Sequence, residues 1–220
     1  MNSVVLSKTY AHPPFCEKEI LRYAGCKMPD DKILLLLNEC LEEAMDKLVY
    51  KVCYRESAVE IEGDFCRFCS FGFKSENLVQ NLMGCERAVF FAATIGVGID
   101  RLIAKYSRIS PSKALMFQAI GAERIEALCD TFCADIAKEY NEGIGLRFSP
   151  GYGDLSLDCQ RDIFTFLDCE RRIGVTLNDS MLMSPSKSVT AVFGIGKKGR
   201  KFENKCSACN KSDCSFRGAL

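Results

Sequence analysis

From Asp30 onward, apolar residues recur at intervals of three and four: Ile33, Leu34, Leu37, Leu41, Ala44, Met45 and Leu48. Pro29 and Asp30 supply a start. The spacing predicts an amphipathic helix with a wide apolar face. The period then changes. Residues 49–54 and 59–62 alternate, and Gly63-Asp64 breaks the second run, so two strands of an antiparallel sheet are expected. Ser75 caps a short helix that ends at Gly84. Residues 88–94 are continuously apolar, as in a central strand buried on both faces. Residues 100–109 and 112–140 read as helices separated by Ser110-Pro111, with Gly121 a candidate kink in the longer one and Asn141-Glu142-Gly143 its stop. A further short helix fits residues 158–167. Residues 189–193 form a late strand running into Gly194-Ile195-Gly196.

No internal repeat or low-complexity linker divides the chain. The expected fold class is α+β: a single domain over residues 1–198, with a central twisted, mainly antiparallel sheet flanked by helices, and a basic, cysteine-containing tail over residues 199–220. Mixed helices and non-alternating strands argue against a doubly wound sheet. An apolar content of 48% with 26% charged residues supports an ordinary packed core. Lys plus Arg and Asp plus Glu both number 29, which removes the broad basic field that would hold nucleic acid. The longest apolar run, residues 88–99, falls short of the about 20 residues a membrane-spanning helix requires. With no basic, then apolar, leader pattern, a cytoplasmic location away from membranes is expected.

Fourteen cysteines in 220 residues lie below the roughly 8–10% of a disulfide scaffold, so most are expected to be reduced. Cys40, Cys129 and Cys133 fall within apolar helical patterns and are assigned to packing. Residues 194–199 match the dinucleotide-binding glycine pattern, but no apolar-periodic helix follows to hold a pyrophosphate. His12 is the single histidine, which argues against a histidine metal site or a triad and makes it a surface residue. Glu123, Glu126 and Asp130 share one helical face. A solvated acidic face is the simpler reading, and carboxylates presented to a ligand the alternative.

Arg147-Phe148-Ser149-Pro150-Gly151-Tyr152-Gly153-Asp154 has the makings of a rigid loop, since proline fixes one backbone angle and the glycines permit unusual ones. Arg147 could fork onto a carboxylate and Tyr152 could cover an aromatic or sulfonium group. A plain surface turn is the alternative. The segment Arg147-x-x-Pro150-Gly151-Tyr152 resembles the Arg-x-x-Pro-Gly-Tyr signature of the activation domain of cobalamin-dependent methionine synthase. Residues 173–185 and Ser188-Val189-Thr190 are similar to that family's following block of Ile-Gly, Leu-Thr-Glu-Ser, Met-x-Pro and Ser-Val-Ser. The resemblance covers residues 147–192 and extends back through residues 88–130.

The resemblance implies an accessory protein that binds S-adenosylmethionine and supports reductive methylation of oxidised cobalamin, as part of a methyltransferase system rather than a complete enzyme. Arg147 would hold the ligand carboxylate. The Ser149 backbone and Tyr152 would lie near adenine and ribose, Gly151 would belong to the same ligand-binding set, and Glu126 would stand for the family's helical glutamate. The cobalamin would be carried by a separate methionine synthase lacking its own activation domain, with a flavodoxin- or ferredoxin-like reductant. The sequence departs from the pattern where Gly153-Asp154-Leu155 replace the prolines and cysteine that follow Gly-Tyr, and where Phe193 replaces a tyrosine.

Cys206-x-x-Cys209 and Cys214 lie in the tail among Lys205, Lys211 and Arg217. Three thiolates at this spacing suit zinc or an iron–sulfur cluster, with Cys66 or Cys69 as the fourth ligand. An electron-transfer protein using such a cluster and a non-catalytic docking clamp for a corrinoid methyltransferase are the competing functional readings.

Overall fold

The structure, a computed structural model, describes residues 4–140 and 143–196. The chain runs β1 (Leu6–Tyr10), α1 (Glu17–Tyr23), α2 (Asp31–Met45), β2 (Tyr50–Ala58), β3 (Glu60–Glu62), β4 (Phe65–Arg67), β5 (Gly72–Lys74) and α3 (Glu76–Leu82). It continues through β6 (Arg87–Thr94), α4 (Gly98–Tyr106), α5 (Pro111–Tyr140) and β7 (Gly143–Ile144). The last elements are α6 (Cys159–Leu167), α7 (Cys169–Ile173), β8 (Thr176–Leu177), β9 (Met183–Ser184) and β10 (Ser188–Gly196).

The main sheet has the order β1-β2-β6-β10-β7, and each neighbouring pair is antiparallel. β6 is the middle strand. Val89, Phe91 and Ala93 point into the core shared with α1, α2, α4 and α5, whereas Ala88, Phe90 and Ala92 point into a second core. Burial on both faces is why its run is apolar without alternation. The second core is closed by α3, α6, α7 and the small β3-β4-β5 sheet. There Phe68 meets Phe90 edge-on at 4.7 Å, and Phe71 meets Phe166 at 5.0 Å. Edge-to-face pairs of this kind add about 0.5–1.5 kcal/mol each beyond area burial.

Local signals explain several boundaries. The Asp30 carboxylate accepts from the Ile33 N–H at 2.9 Å, and the Ser75 hydroxyl accepts from the Leu78 N–H at 2.9 Å, so both helices begin where a capping side chain stands. α5 continues through Gly121 as one helix. A Cβ there would come within 2.9 Å of Ile99 Cγ2 and of Lys187 Cε, so the glycine serves close packing of α4 and the chain before β10. Gly194 lies within β10 and faces Cys85, whose Sγ would stand 2.5 Å from an added Cβ, so this part of the glycine-rich stretch packs tightly inside a strand. Cys40 and Cys129 are buried, and Cys133 packs partly buried against the same core. His12 is exposed and meets the Tyr50 ring edge-on at 5.1 Å. No helix among the described residues is long and apolar enough to cross a membrane.

Candidate functional site

The Arg147 loop leaves β7 and is stitched to β10. The Phe148 N–H donates to the Val192 carbonyl at 2.8 Å, and the Val192 N–H returns to the Phe148 carbonyl at 2.9 Å. The loop then closes on itself, with the Gly151 N–H on the Leu155 carbonyl at 2.9 Å and the Tyr152 N–H on the Ser149 carbonyl at 3.1 Å. Gly151 and Gly153 take φ of 86° and 56°, the left-handed region where glycine is unstrained.

This geometry brings Arg147 over α5. Its Nη2 lies 2.9 Å from Glu126 Oε2 and 2.9 Å from Asp130 Oδ1. Its Nη1 is buried and makes no hydrogen bond among the described residues. A buried donor left unpaired costs about 1–3 kcal/mol, and Arg147 is held by Nη2 alone. Arg147 lines a cavity of 180 Å³ together with Glu126, Cys129, Ser149 and Tyr152, floored by Val189 and Ala191 of β10. Burial pushes the Cys129 thiol up, so it contributes an inert wall.

Glu126 also belongs to an adjoining groove of 500 Å³ between α5 and the amino-terminal segment, which contributes Pro13, Pro14, Glu19 and Tyr23. The cavity alone falls below the roughly 300–1,000 Å³ typical of ligand sites, whereas cavity and groove together lie within it. Glu19, Glu123, Glu126 and Asp130 outnumber Lys18 on the groove walls. Burial, and then the Glu126 carboxylate, push the Tyr23 hydroxyl above its ordinary range and keep it neutral.

Of the residues singled out in the sequence, Glu126, Arg147, Ser149 and Tyr152 line one cavity, while Gly151 shapes the loop beside it. Tyr152 is 67% exposed, so its ring forms the mouth rather than a closed wall. Arg147 is engaged by two carboxylates of α5. One expectation is corrected: the acidic face is not uniformly solvated, because Glu123 is 4% exposed and paired with the fully buried Arg124, whereas Asp130 is exposed. Carboxylate spacing along a helix carries no sign of which turn a neighbouring segment will cover.

The wall supplied by Glu19 and Tyr23 has no counterpart in the sequence reading. α1 is seven residues long and its N-cap, Cys16, makes no capping side-chain bond, so neither periodicity nor a start signal marks it. Cys206, Cys209 and Cys214 lie outside the described residues, and among the described residues no group of three or more His, Cys, Asp or Glu side chains could hold a metal ion.

The family described as vitamin B12 dependent methionine synthase, activation domain, matches residues 73–214. No curated protein sequence matches the chain. A solved structure of the MetH reactivation domain bound to AdoHcy is similar over 91% of this chain and 80% of that one, with a TM-score of 0.67 and 13% identity. At that identity the likeness establishes a common fold, whose α+β arrangement agrees with the sequence expectation.

Proposed function

Because the chain belongs to the vitamin B12 dependent methionine synthase activation-domain family, we propose that it binds S-adenosylmethionine in the cavity and groove beside Arg147 and supports reactivation of a methionine synthase's cobalamin. The observation that carries the ligand half is a small cavity lined by Arg147, Ser149 and Tyr152 that shares Glu126 with an acidic groove. S-adenosylmethionine presents one carboxylate and two positive centres, its ammonium and its sulfonium. The carboxylate suits Arg147, and the positive centres suit the field of Glu19, Glu126 and Asp130. The related structure holds AdoHcy, the same ligand without the transferred methyl group.

In this reading Arg147 and the Ser149 backbone orient the ligand, Tyr152 covers its exposed edge, and the β10 floor excludes water. When bound, the ligand would supply the methyl group for the partner's cobalt once a flavodoxin- or ferredoxin-like protein had supplied one electron, leaving AdoHcy in the site. The cobalamin is carried by a separate methionine synthase lacking its own activation domain.

Calorimetry with S-adenosylmethionine tests the ligand half. Arg147→Ala removes a charge-assisted contact of about 1.5–3 kcal/mol, a loss of affinity of roughly 10- to 150-fold. A wild-type protein that gives neither heat nor thermal shift at millimolar ligand would overturn it and leave the docking-clamp reading.

A further inference from the structure

Arg124 is the largest fully buried side chain among the described residues, and a guanidinium with 0% exposure is a costly thing to place in a core. All three of its nitrogens are hydrogen-bonded. Nε and Nη2 meet the Glu123 carboxylate at 2.5 Å each, Nη1 reaches the Pro13 carbonyl at 2.5 Å, and Nη2 reaches the Pro14 carbonyl at 2.7 Å. Glu123 in turn accepts from the Cys16 N–H at 3.1 Å, and the Phe15 ring lies over the guanidinium at 4.0 Å. Four consecutive residues, Pro13 to Cys16, are therefore fastened to one ion pair on α5.

The chain so fastened leads into α1, which carries Glu19 and Tyr23 to the far wall of the groove, and Ile20 and Leu21 into the main core. Beyond these contacts, Pro13 is buried, Phe15 packs half-buried against the main core and the Cys16 carbonyl accepts from the Ile20 N–H at 3.0 Å, but the two prolines donate no backbone hydrogen bond. An apolar pair could fill the volume of Glu123 and Arg124, but it could not hold two carbonyls and an amide in register.

We propose that Glu123 and Arg124 form a positioning latch, which sets the amino-terminal segment at the distance from α5 that the ligand groove requires. Arg124 does not line the groove and acts through the placement of Glu19 and Tyr23, whereas Glu123 lines the groove as well, so the affinity of Arg124→Lys reads the latch alone. The inference rests on the ligand reading above for its functional consequence, but not for the latch itself.

The test is the double variant Glu123→Leu/Arg124→Met, which removes both charges together, with Arg124→Lys as the conservative partner. Hydrogen exchange is followed at the amides of residues 15–23, alongside thermal unfolding and calorimetry with S-adenosylmethionine. The double variant is expected to unfold within a few degrees of wild type, to exchange at least tenfold faster over residues 15–23, and to bind at least tenfold more weakly. Arg124→Lys, which retains one charged donor, is expected to fall between. A folded double variant with wild-type exchange in that segment overturns the latch. Faster exchange with unchanged affinity overturns its functional role. Should wild type bind no S-adenosylmethionine, the ligand reading fails by itself and the exchange comparison still decides the latch. If the double variant does not fold, Arg124→Lys decides by the same exchange measurement.

Discussion

Asp154 is bonded to Ser75 across 79 positions of sequence: its carboxylate accepts from the Ser75 hydroxyl at 2.5 Å, and also from the N–H groups of Glu76 at 2.7 Å and Asn77 at 3.2 Å. The carboxylate thus serves the first turn of α3 from outside, while Ser75 caps the same helix from within. Gly153 permits the approach, since a Cβ there would stand 2.0 Å from Asn77 Oδ1. Where the sequence replaces the prolines of the resembled signature with Gly153-Asp154, loop rigidity is thereby supplied by a tether.

Asp154→Ala is accordingly expected to loosen the loop that presents Ser149 and Tyr152. Amide exchange at Gly151 and Tyr152 should rise. The affinity for S-adenosylmethionine should fall about tenfold, because the ligand must then order a loop that was already ordered. Asp154→Asn keeps one acceptor oxygen and should lose less. Unchanged exchange at Gly151 and Tyr152 in the alanine variant would show that the turn's own hydrogen bonds are enough.

Much of this architecture was legible in the sequence, and the parts that were not have physical causes. α2, α3, β6 and α5 are long, capped or doubly buried, and each was marked by periodicity, a capping side chain or an apolar run. β1 and α1 are short elements whose existence depends on partners far along the chain: Lys8 pairs with Val52, a relationship that no local window contains. β4 and β5 are three residues each, too short for a period to show, although Cys66 pairs with the nearby Phe73. The site divides in the same way. Arg147 and Tyr152 were visible because a loop of proline and glycines frames them, and Glu126 because it shares a helix face. Glu19 and Tyr23 were not, since their role follows from the Arg124 contacts to Pro13 and Pro14.

Acid stability offers a separate check on how α2, α4 and α5 are joined. Glu43 accepts from Lys105 Nζ at 2.8 Å and from the Tyr106 hydroxyl at 2.8 Å, and Lys113 of α5 lies in its field. The Lys105 hydrogen bond first, then that of Tyr106 and the lysine charges, hold its carboxyl below the ordinary range despite partial desolvation. A carboxyl with a folded pKa below its unfolded one favours folding while ionised. Its contribution is therefore complete above the unfolded value of about 4.3 and disappears as pH falls through the folded value. Glu43→Gln should flatten the fall in melting temperature on the acid side. The difference from wild type should be small, roughly 1–2 °C at neutral pH, because exposed pairs contribute little. Identical acid limbs for the two proteins would remove Glu43 from the account.

The last expectation concerns the tail thiols Cys206, Cys209 and Cys214, which should bind zinc or an iron–sulfur cluster when the protein is made without oxygen. The described structure discriminates between the two candidates for a fourth ligand. Cys66 is buried, and burial pushes its thiol up to about 11, so it resists the deprotonation that ligation requires. Cys69 is exposed, and the Ser57 hydroxyl at 3.3 Å favours its thiolate. Ser57 pairs with Ala88, and Ala88 with Gly194, so Cys69 stands over a strand two places from β10. That separation is roughly 10 Å, and ten residues of chain from Gly196 to Cys206 span at most about 36 Å, so the distance is within reach. Metal analysis of anaerobic protein should find near-stoichiometric zinc or iron. The content should fall sharply in a Cys206→Ser/Cys209→Ser variant and in Cys69→Ser, and hold in Cys66→Ser. Metal-free wild type would remove the site altogether, and a Cys69→Ser protein with full metal content would leave the fourth position to another ligand.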